Sequence, residues 1–396
     1  MRVAICGIRG VPACYGGFET FAEELGQRLV RRGHTVVVYG RRHVIHYSEP
    51  SYLGMDLRLL AAPRHKYFET PVHTLLSFVD LLRRPVDVVL LCNAANSPFA
   101  WLPRLRGMPV AINLDGIERK RAKWNAVGRA WYAFGELCSV LFGSKLIADA
   151  EMIAEYYAQV YRAKTSIIRY GCIAVSPEEI ASKLEHASGF ELRQSALLGE
   201  GCSIFSELPV FSESAVAPGG YFLYVSRLEP ENNAHRVIAS YNALPTEIKL
   251  KFPLLIVGDA PYAKDYITGL HREAGEGIHF LGYRFGEQYR ALQLGAYAYI
   301  QATEVGGTHP ALVEAMGFGN CVLANTTPEH SEALANAGLY YAKNNLAELT
   351  SLMRSVAGNP ELVLEKRKAA YQRAQKEFSW ERITNDYEEL LTGLLS

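Results

Sequence analysis

The chain contains no Asp-x-Asp pair, no Cys-x-x-Cys pair and no run of about 18 apolar residues. Each absence removes a class of function. Without Asp-x-Asp there is no ready pair of carboxylates to hold Mg²⁺ beneath a diphosphate, so no metal is expected. The seven cysteines (Cys6, Cys14, Cys92, Cys138, Cys172, Cys202 and Cys321) are odd in number and scattered. That argues against a disulfide framework or a zinc site and fits a reducing cytoplasm. The opening "MRVAICGIRG" lacks the parts of a cleavable signal, so a cytoplasmic protein is expected. A basic tail is missing too, as is any recognisable nucleic-acid module, and no nucleic-acid partner is expected.

What is present is ordinary in bulk and uneven in detail. At 396 residues the chain is too long for one core, and two domains are expected. The formal net charge of +0 hides an asymmetry: residues 1–175 hold 23 Lys and Arg against 14 Asp and Glu, the remainder 18 against 27. Such a split suggests that the first half faces an anionic membrane surface or a phosphorylated ligand, although solvated faces produce the same numbers.

Short apolar runs alternate with helical stretches. "RVAICG", "HTVVVYG", "VDVVLLC", "PVAINL" and "SKLIAD" read as strands, each followed by a helix. The alternation restarts at "YFLYVSRL" and continues through "FPLLIVGD", "GIHFLG", "AYAYIQA" and "NCVLAN". Strands alternating with helices predict parallel sheets covered on both faces, hence an α/β fold of two doubly wound Rossmann-like domains facing an interdomain cleft. The expected divisions are 1–175, an insertion or linker over 176–218, a second domain over 219–375, and a C-terminal helix over 376–396 that packs back on the first domain.

Three segments carry candidate chemistry. In "GIRGVPACYGGFET", glycines including Gly16 and Gly17 stand between the first strand and a helix, where backbone N–H groups can approach an anion. The loop is not G-x-G-x-x-G and is too long for a tight dinucleotide turn. In "VSRLEPENN", Arg227 follows a strand and can hold a diphosphate through paired hydrogen bonds; pairing with Glu229 or Glu231 is the structural alternative. In "EVGGTHPALVEAMGFG", Thr308 is a predicted helix cap, Pro310 suits the first turn, and Gly306 and Gly307 leave the approach open. Glu314, further along that helix, can accept hydrogen bonds from sugar hydroxyls.

The order of these segments, with "LDGIERKRAKW" between them, resembles the family-4 retaining glycosyltransferases of the two-domain GT-B architecture. Within that family it is most similar to the bacterial rhamnosyltransferases that build capsule, O-antigen and cell-wall polysaccharides. The resemblance covers nearly the whole chain except 176–218. It implies transfer of a sugar, L-rhamnose from dTDP-rhamnose, to a lipid-linked saccharide with retained configuration. UDP- or GDP-sugar-dependent glucosyl or mannosyl transfer, or a sugar-binding scaffold without catalysis, are the alternatives. Arg227 then takes the diphosphate and Glu314 the nucleotide sugar ring. Gly16, Gly17, Asn232, Gly306, Gly307 and Thr308 line the donor, and no cofactor is needed beyond the donor substrate.

The broad family carries Lys where Asn232 stands, and a first glutamate where Gly306 stands; His309 is a further departure. Asp115 is the candidate for orienting a hydroxyl, with helix capping as the other reading. Arg119, Lys120, Arg121 and Lys123, with Trp124, Trp131 and Tyr132, form a basic and aromatic stretch that can meet a membrane-borne polyprenyl-diphosphate acceptor at the inner face of the plasma membrane. A core helix with a solvated basic end is the alternative for that stretch.

Overall fold

The computed structural model describes residues 1–14, 16–65, 67–114, 116–120, 124–176, 179, 218–304 and 306–396. Two compact units result. The first comprises Met1–Gly171, Val305–Thr308 and Trp380–Ser396; the second comprises Cys172–Glu304 and His309–Ser379. The expected 176–218 insertion lies almost wholly outside the described residues.

Unit 1 is built on an eight-stranded sheet in the order β3-β4-β2-β1-β5-β6-β7-β8. Its strands are β1 (Arg2–Cys6), β2 (Thr35–Arg41), β3 (Ser51–Tyr52), β4 (Met55–Leu60), β5 (Val88–Cys92), β6 (Val110–Asn113), β7 (Lys145–Ala148) and β8 (Ser166–Ile167). All neighbours run parallel except β3 and β4. The central strands are apolar on both faces, as a sheet covered on both sides requires: Val3, Ala4, Ile5, Val89, Leu90 and Leu91 are all fully buried. The sequence reading missed β3, β4 and β8. In β4, "MDLRLL", two charged residues interrupt the apolar run, and Arg58 is held by Asp80 at 2.8 Å.

Unit 2 is a six-stranded parallel sheet ordered β11-β10-β9-β12-β13-β14. Its strands are β9 (Phe222–Val225), β10 (Leu254–Val257), β11 (Ile278–Gly282), β12 (Ala298–Gln301), β13 (Cys321–Asn325) and β14 (Leu339–Tyr341). In both units the first strand of the unit sits mid-sheet, with later strands added outward on either side. The winding direction therefore reverses between β1 and β5, and again between β9 and β12. At such a reversal the loops leaving the two strands diverge and open a crevice at their carboxyl ends.

The helix Trp380–Gly393 belongs to unit 1 and lies on the helix Gly17–Arg31. The latter forms because Phe21, Ala22, Leu25 and Leu29 make one apolar stripe, with Glu19 in the first turn and Arg28 and Arg31 in the last, where the helix dipole favours those charges. Phe21 packs on the rings of Trp380 and Tyr387 at 6.3 and 5.1 Å. Burial of such a side chain stabilises by about 1.5–3 kcal/mol. Asn113, at the end of β6, donates to the buried Tyr387 hydroxyl at 2.7 Å. A charged rim surrounds this apolar seam: Arg28 and Arg32 pair with Glu381 at 3.1 and 2.9 Å, and Arg32 and His34 each meet Glu388 at 2.6 Å.

The rim gives the seam an acid limit. Bonds from His34 and Arg32 hold the Glu388 carboxyl below its ordinary value, and those from Arg32 and Arg28 hold Glu381 below its own despite partial burial. A depressed folded value means the contribution is complete above the ordinary 4.5 and is lost as pH falls through the folded value. Trp380 fluorescence, followed in mild denaturant from pH 6 to pH 3, is expected to report loosening below about pH 4.5. A Glu381→Gln, Glu388→Gln double variant is expected to loosen already at pH 6 and to lose most of that acid dependence.

Candidate active site

In unit 1 the loop after β1 reaches the reversal point. Gly7 sits at φ +88°, and a Cβ there would overlap the Cys92 carbonyl oxygen, so only glycine lets the chain leave β1 beside β5. The loop is then folded onto the helix that follows. Arg9 N donates to Glu19 Oε1 and Ala13 N to Glu23 Oε2, each at 2.9 Å. Glu19 is buried, and burial pushes its carboxyl up while the Arg9 N–H opposes the rise. Gly16 is the N-cap of the helix and Gly17 its first residue. As at any helix start, the first amides there have no intrahelical acceptor and point outward. Asp115 lies outside the described residues.

The segment Gly306–Thr308 is also part of unit 1. Thr308 does not cap the following helix. Its amide donates to Asp149 Oδ2 at 2.9 Å and its hydroxyl to the Asp149 carbonyl at 2.7 Å, while the N-cap position falls to His309, which makes no side-chain cap. Gly307 is required by the same contact, because a Cβ there would lie 2.5 Å from Asp149 Oδ1. Gly116 meets the same segment, its Cβ position lying 2.8 Å from Gly307 N. Asp149, buried just beyond β7, therefore fixes the Gly-Gly-Thr segment. Sequence reasoning passed over it, since nothing local in "LIADAEM" marks it.

The basic stretch is corrected in one respect. Arg119 is not a free acceptor-binding cation: it pairs with the buried Glu136 at 3.3 Å and bonds the Tyr156 hydroxyl. Tyr156 and Tyr161 also donate to Glu136, each at 2.8 Å. The Trp124 ring lies tilted beside that of Tyr132 at 5.1 Å, and Trp131 Nε1 donates to the Ala95 carbonyl at 3.2 Å. Arg121 and Lys123 lie outside the described residues.

Unit 2 gathers a second set of residues at its own reversal point. Arg227 leaves the carboxyl end of β9, partly exposed, with Glu229 Oε2 at 4.0 Å. Asn232 is buried, and its amide nitrogen donates to the Arg227 carbonyl at 2.7 Å. Whatever Asn232 contributes to a donor site thus runs through the loop it braces. The neighbouring loop after β12 is tied to this one: Glu304 N donates to the Glu231 carbonyl at 3.3 Å, and Asn233 Nδ2 reaches the Ala302 carbonyl and Glu304 Oε1 at 2.8 and 2.9 Å. The other Glu304 oxygen meets Lys343 at 3.1 Å, which commits Glu304 to the scaffold.

Beyond that loop the helix Pro310–Gly317 carries Glu314 at its fifth position. Tyr289 donates to Glu314 Oε2 at 2.6 Å, Gln293 Nε2 donates to the Tyr289 hydroxyl at 2.8 Å, and Asn320 Nδ2 holds Gln293 at 3.0 Å. Burial keeps Tyr289 protonated, so it serves as a fixed donor to the carboxylate. The sequence offered one weak signal for this chain, the i, i+4 placement of Tyr289 and Gln293 on the helix Gly286–Leu294. The His309 ring lies 5.0 Å from that of buried His330, whose pKa burial pulls down to about 4. His309 thus faces a neutral neighbour. Among the described residues no group of three or more His, Cys, Asp or Glu side chains could hold a metal ion, and no helix is long and apolar enough to cross a membrane.

Comparisons with known proteins bear on the fold. Residues 212–377 match a family model described as "Glycosyl transferases group 1", and residues 79–173 match a domain of unknown function, DUF1972. Over 180 residues the chain is 27% identical to O-antigen chain mannosyltransferase B of Escherichia coli, a match spanning 45% of this chain and 47% of that protein. The chain thus matches about half the length of that curated relative. Sucrose-phosphate synthase from Thermosynechococcus elongatus superposes with a TM-score of 0.77 at 17% identity, over 99% of this chain and 98% of that one. HepE of Anabaena, solved with UDP-glucose, gives 0.71 at 14% over 99% and 100%. WaaG, a glycosyltransferase involved in lipopolysaccharide biosynthesis, gives 0.71 at 16% over the same shares. The chain has the GT-B fold, two Rossmann-like parallel-sheet domains, and the second of them carries the glycosyl transferases group 1 match.

Proposed function

We propose that this protein is a retaining glycosyltransferase of polysaccharide assembly that transfers L-rhamnose from dTDP-rhamnose to a lipid-linked saccharide. One observation carries the reading: Arg227 and the helix bearing Glu314 flank the β9/β12 reversal, where an α/β sheet of this winding takes its ligand. In that reading Arg227 binds the diphosphate and stabilises the charge that builds on it as the glycosidic bond breaks. The amino end of the helix Pro310–Gly317 adds its dipole. Glu314, pre-oriented by Tyr289, accepts a hydroxyl of the nucleotide sugar ring. The front-face route, in which a donor phosphate oxygen takes the acceptor proton, needs no second carboxylate, in keeping with Gly306 at the position of a family glutamate. The basic excess of residues 1–175 supports an acceptor carried on an anionic membrane.

The second donor reading is a GDP- or UDP-sugar, and the partial match to a mannosyltransferase keeps it beside the first. Thermal stabilisation by dTDP-rhamnose, dTDP, UDP-glucose and GDP-mannose separates these readings. A ligand binding only the folded protein at 100 times its Kd adds about 2.7 kcal/mol, an easily resolved shift. Selective stabilisation by the dTDP compounds is expected. Selective stabilisation by GDP-mannose or UDP-glucose would replace the donor assignment, and no shift with any nucleotide would overturn the transferase reading in favour of a non-catalytic scaffold.

The roles of the two side chains are tested by turnover. Arg227→Ala is expected to lower kcat by about 10²–10³-fold, as loss of one charge-stabilising donor does, with an unchanged melting temperature. Glu314→Gln is expected to weaken nucleotide binding about tenfold. A melting temperature that falls while binding holds would instead make Glu314 a structural partner of Tyr289.

A further inference from the structure

The helix Ala126–Phe142 of unit 1 is buried on the wrong side for a simple amphipathic helix. Its inward face is made of small and polar residues: Gly128, Gly135, Glu136, Cys138 and Ser139. Gly135 lets it press onto the turn Ala94–Phe99, since a Cβ there would lie 2.6 Å from the Ala94 carbonyl oxygen. The charge of Glu136 is satisfied inside by Arg119 and two tyrosines. Val140 and Phe142 pack against the core, but four other large apolar residues are left pointing out. Val127, Phe134, Leu137 and Leu141 are 71, 51, 44 and 58% exposed. Their spacing of seven, three and four residues sets them in one stripe along the helix.

We infer that this stripe is a membrane-docking face that lies in the interfacial layer of a bilayer containing anionic phospholipid. Charge complementarity selects that occupant. Between Phe99 and Ile147 the sequence holds eight Lys and Arg against three Asp and Glu, and setting aside the Arg119–Glu136 pair leaves seven against two. Arg129 stands exposed in the first turn of the helix. At its far end, exposed Arg104 is anchored on the Phe142 carbonyl at 3.2 Å. Both ends of an uncharged apolar stripe thus carry cations, the pattern of a helix that buries its apolar side among acyl chains while its cations meet lipid phosphates. The inference deepens the membrane-borne acceptor reading above and rests on it only for its purpose, because the geometry stands alone.

Flotation of the full-length protein with vesicles of equal parts phosphatidylglycerol and phosphatidylcholine, and with pure phosphatidylcholine, tests it. Binding to the anionic vesicles is expected, with weaker binding to the neutral ones. A Phe134→Ser, Leu137→Ser variant is expected to lose about tenfold or more of that binding. Arg129→Glu is expected to weaken only the anionic component. All three substituted residues are exposed, and unchanged circular dichroism and nucleotide-induced thermal shifts would exclude misfolding. No vesicle binding by the wild-type chain, or binding that the double variant retains, would overturn the inference. A concentration-dependent dimer abolished by the double variant, without vesicle binding, would assign the face to a second copy. Because nucleotide shifts are read on the same samples, failure of the donor reading is distinguished from failure of this one.

Discussion

Burying both faces of a parallel sheet leaves the strand ends as the only places where backbone and side chains can meet a ligand. This protein meets that constraint twice. In each unit the first strand sits mid-sheet, so the loops that diverge at its carboxyl end are the glycine-rich loop after β1 and the Arg227 loop after β9. The close packing at these points follows from the same crowding. Gly7 passes beside the Cys92 carbonyl where β1 and β5 adjoin, and Asn232 and Asn233 brace the loops over β9 and β12.

Polar groups near these ends are held before any ligand arrives. Glu314 is fixed by Tyr289, which is fixed by Gln293 and Asn320. Glu19 and Glu23 hold the backbone of the first loop, and Asp149 holds Gly307 and Thr308. A carboxylate whose partners are already in place loses little freedom on binding, so less of the interaction is spent on ordering. The Gly-Gly-Thr form at 306–308 fits Asp149 in a way that a bulkier residue at 307 could not.

Much of this was legible in the sequence because it depends on local pattern. Apolar runs such as "RVAIC" and "LLIV" announce buried strands, and Pro310 marks a helix start. What was illegible depends on long-range pairing. Thr308 looks like a cap by its position before Pro310, yet its hydroxyl finds Asp149, 159 residues away in sequence. Arg119 sits in a basic run, yet it pairs with Glu136, 17 residues further on. β4 was hidden because Asp56 and Arg58 break its apolar text, and the Asp80 partner of Arg58 comes from a separate helix. The Tyr289 donor to Glu314 lies on the preceding helix, 25 residues back, with no motif to join the two.

The seam between the helices Gly17–Arg31 and Trp380–Gly393 bears on how the molecule is made. Unit 1 is interrupted by the whole of unit 2 and takes Trp380 and Tyr387 only afterwards. A ribosome adds about 5–20 residues per second, so Phe21 and its neighbours on the first helix emerge many seconds before their covering exists. Over that interval the nascent chain displays a greasy groove that a holdase could occupy, and unit 2 is free to finish first. The unit whose synthesis begins first is therefore the last to receive its covering helix.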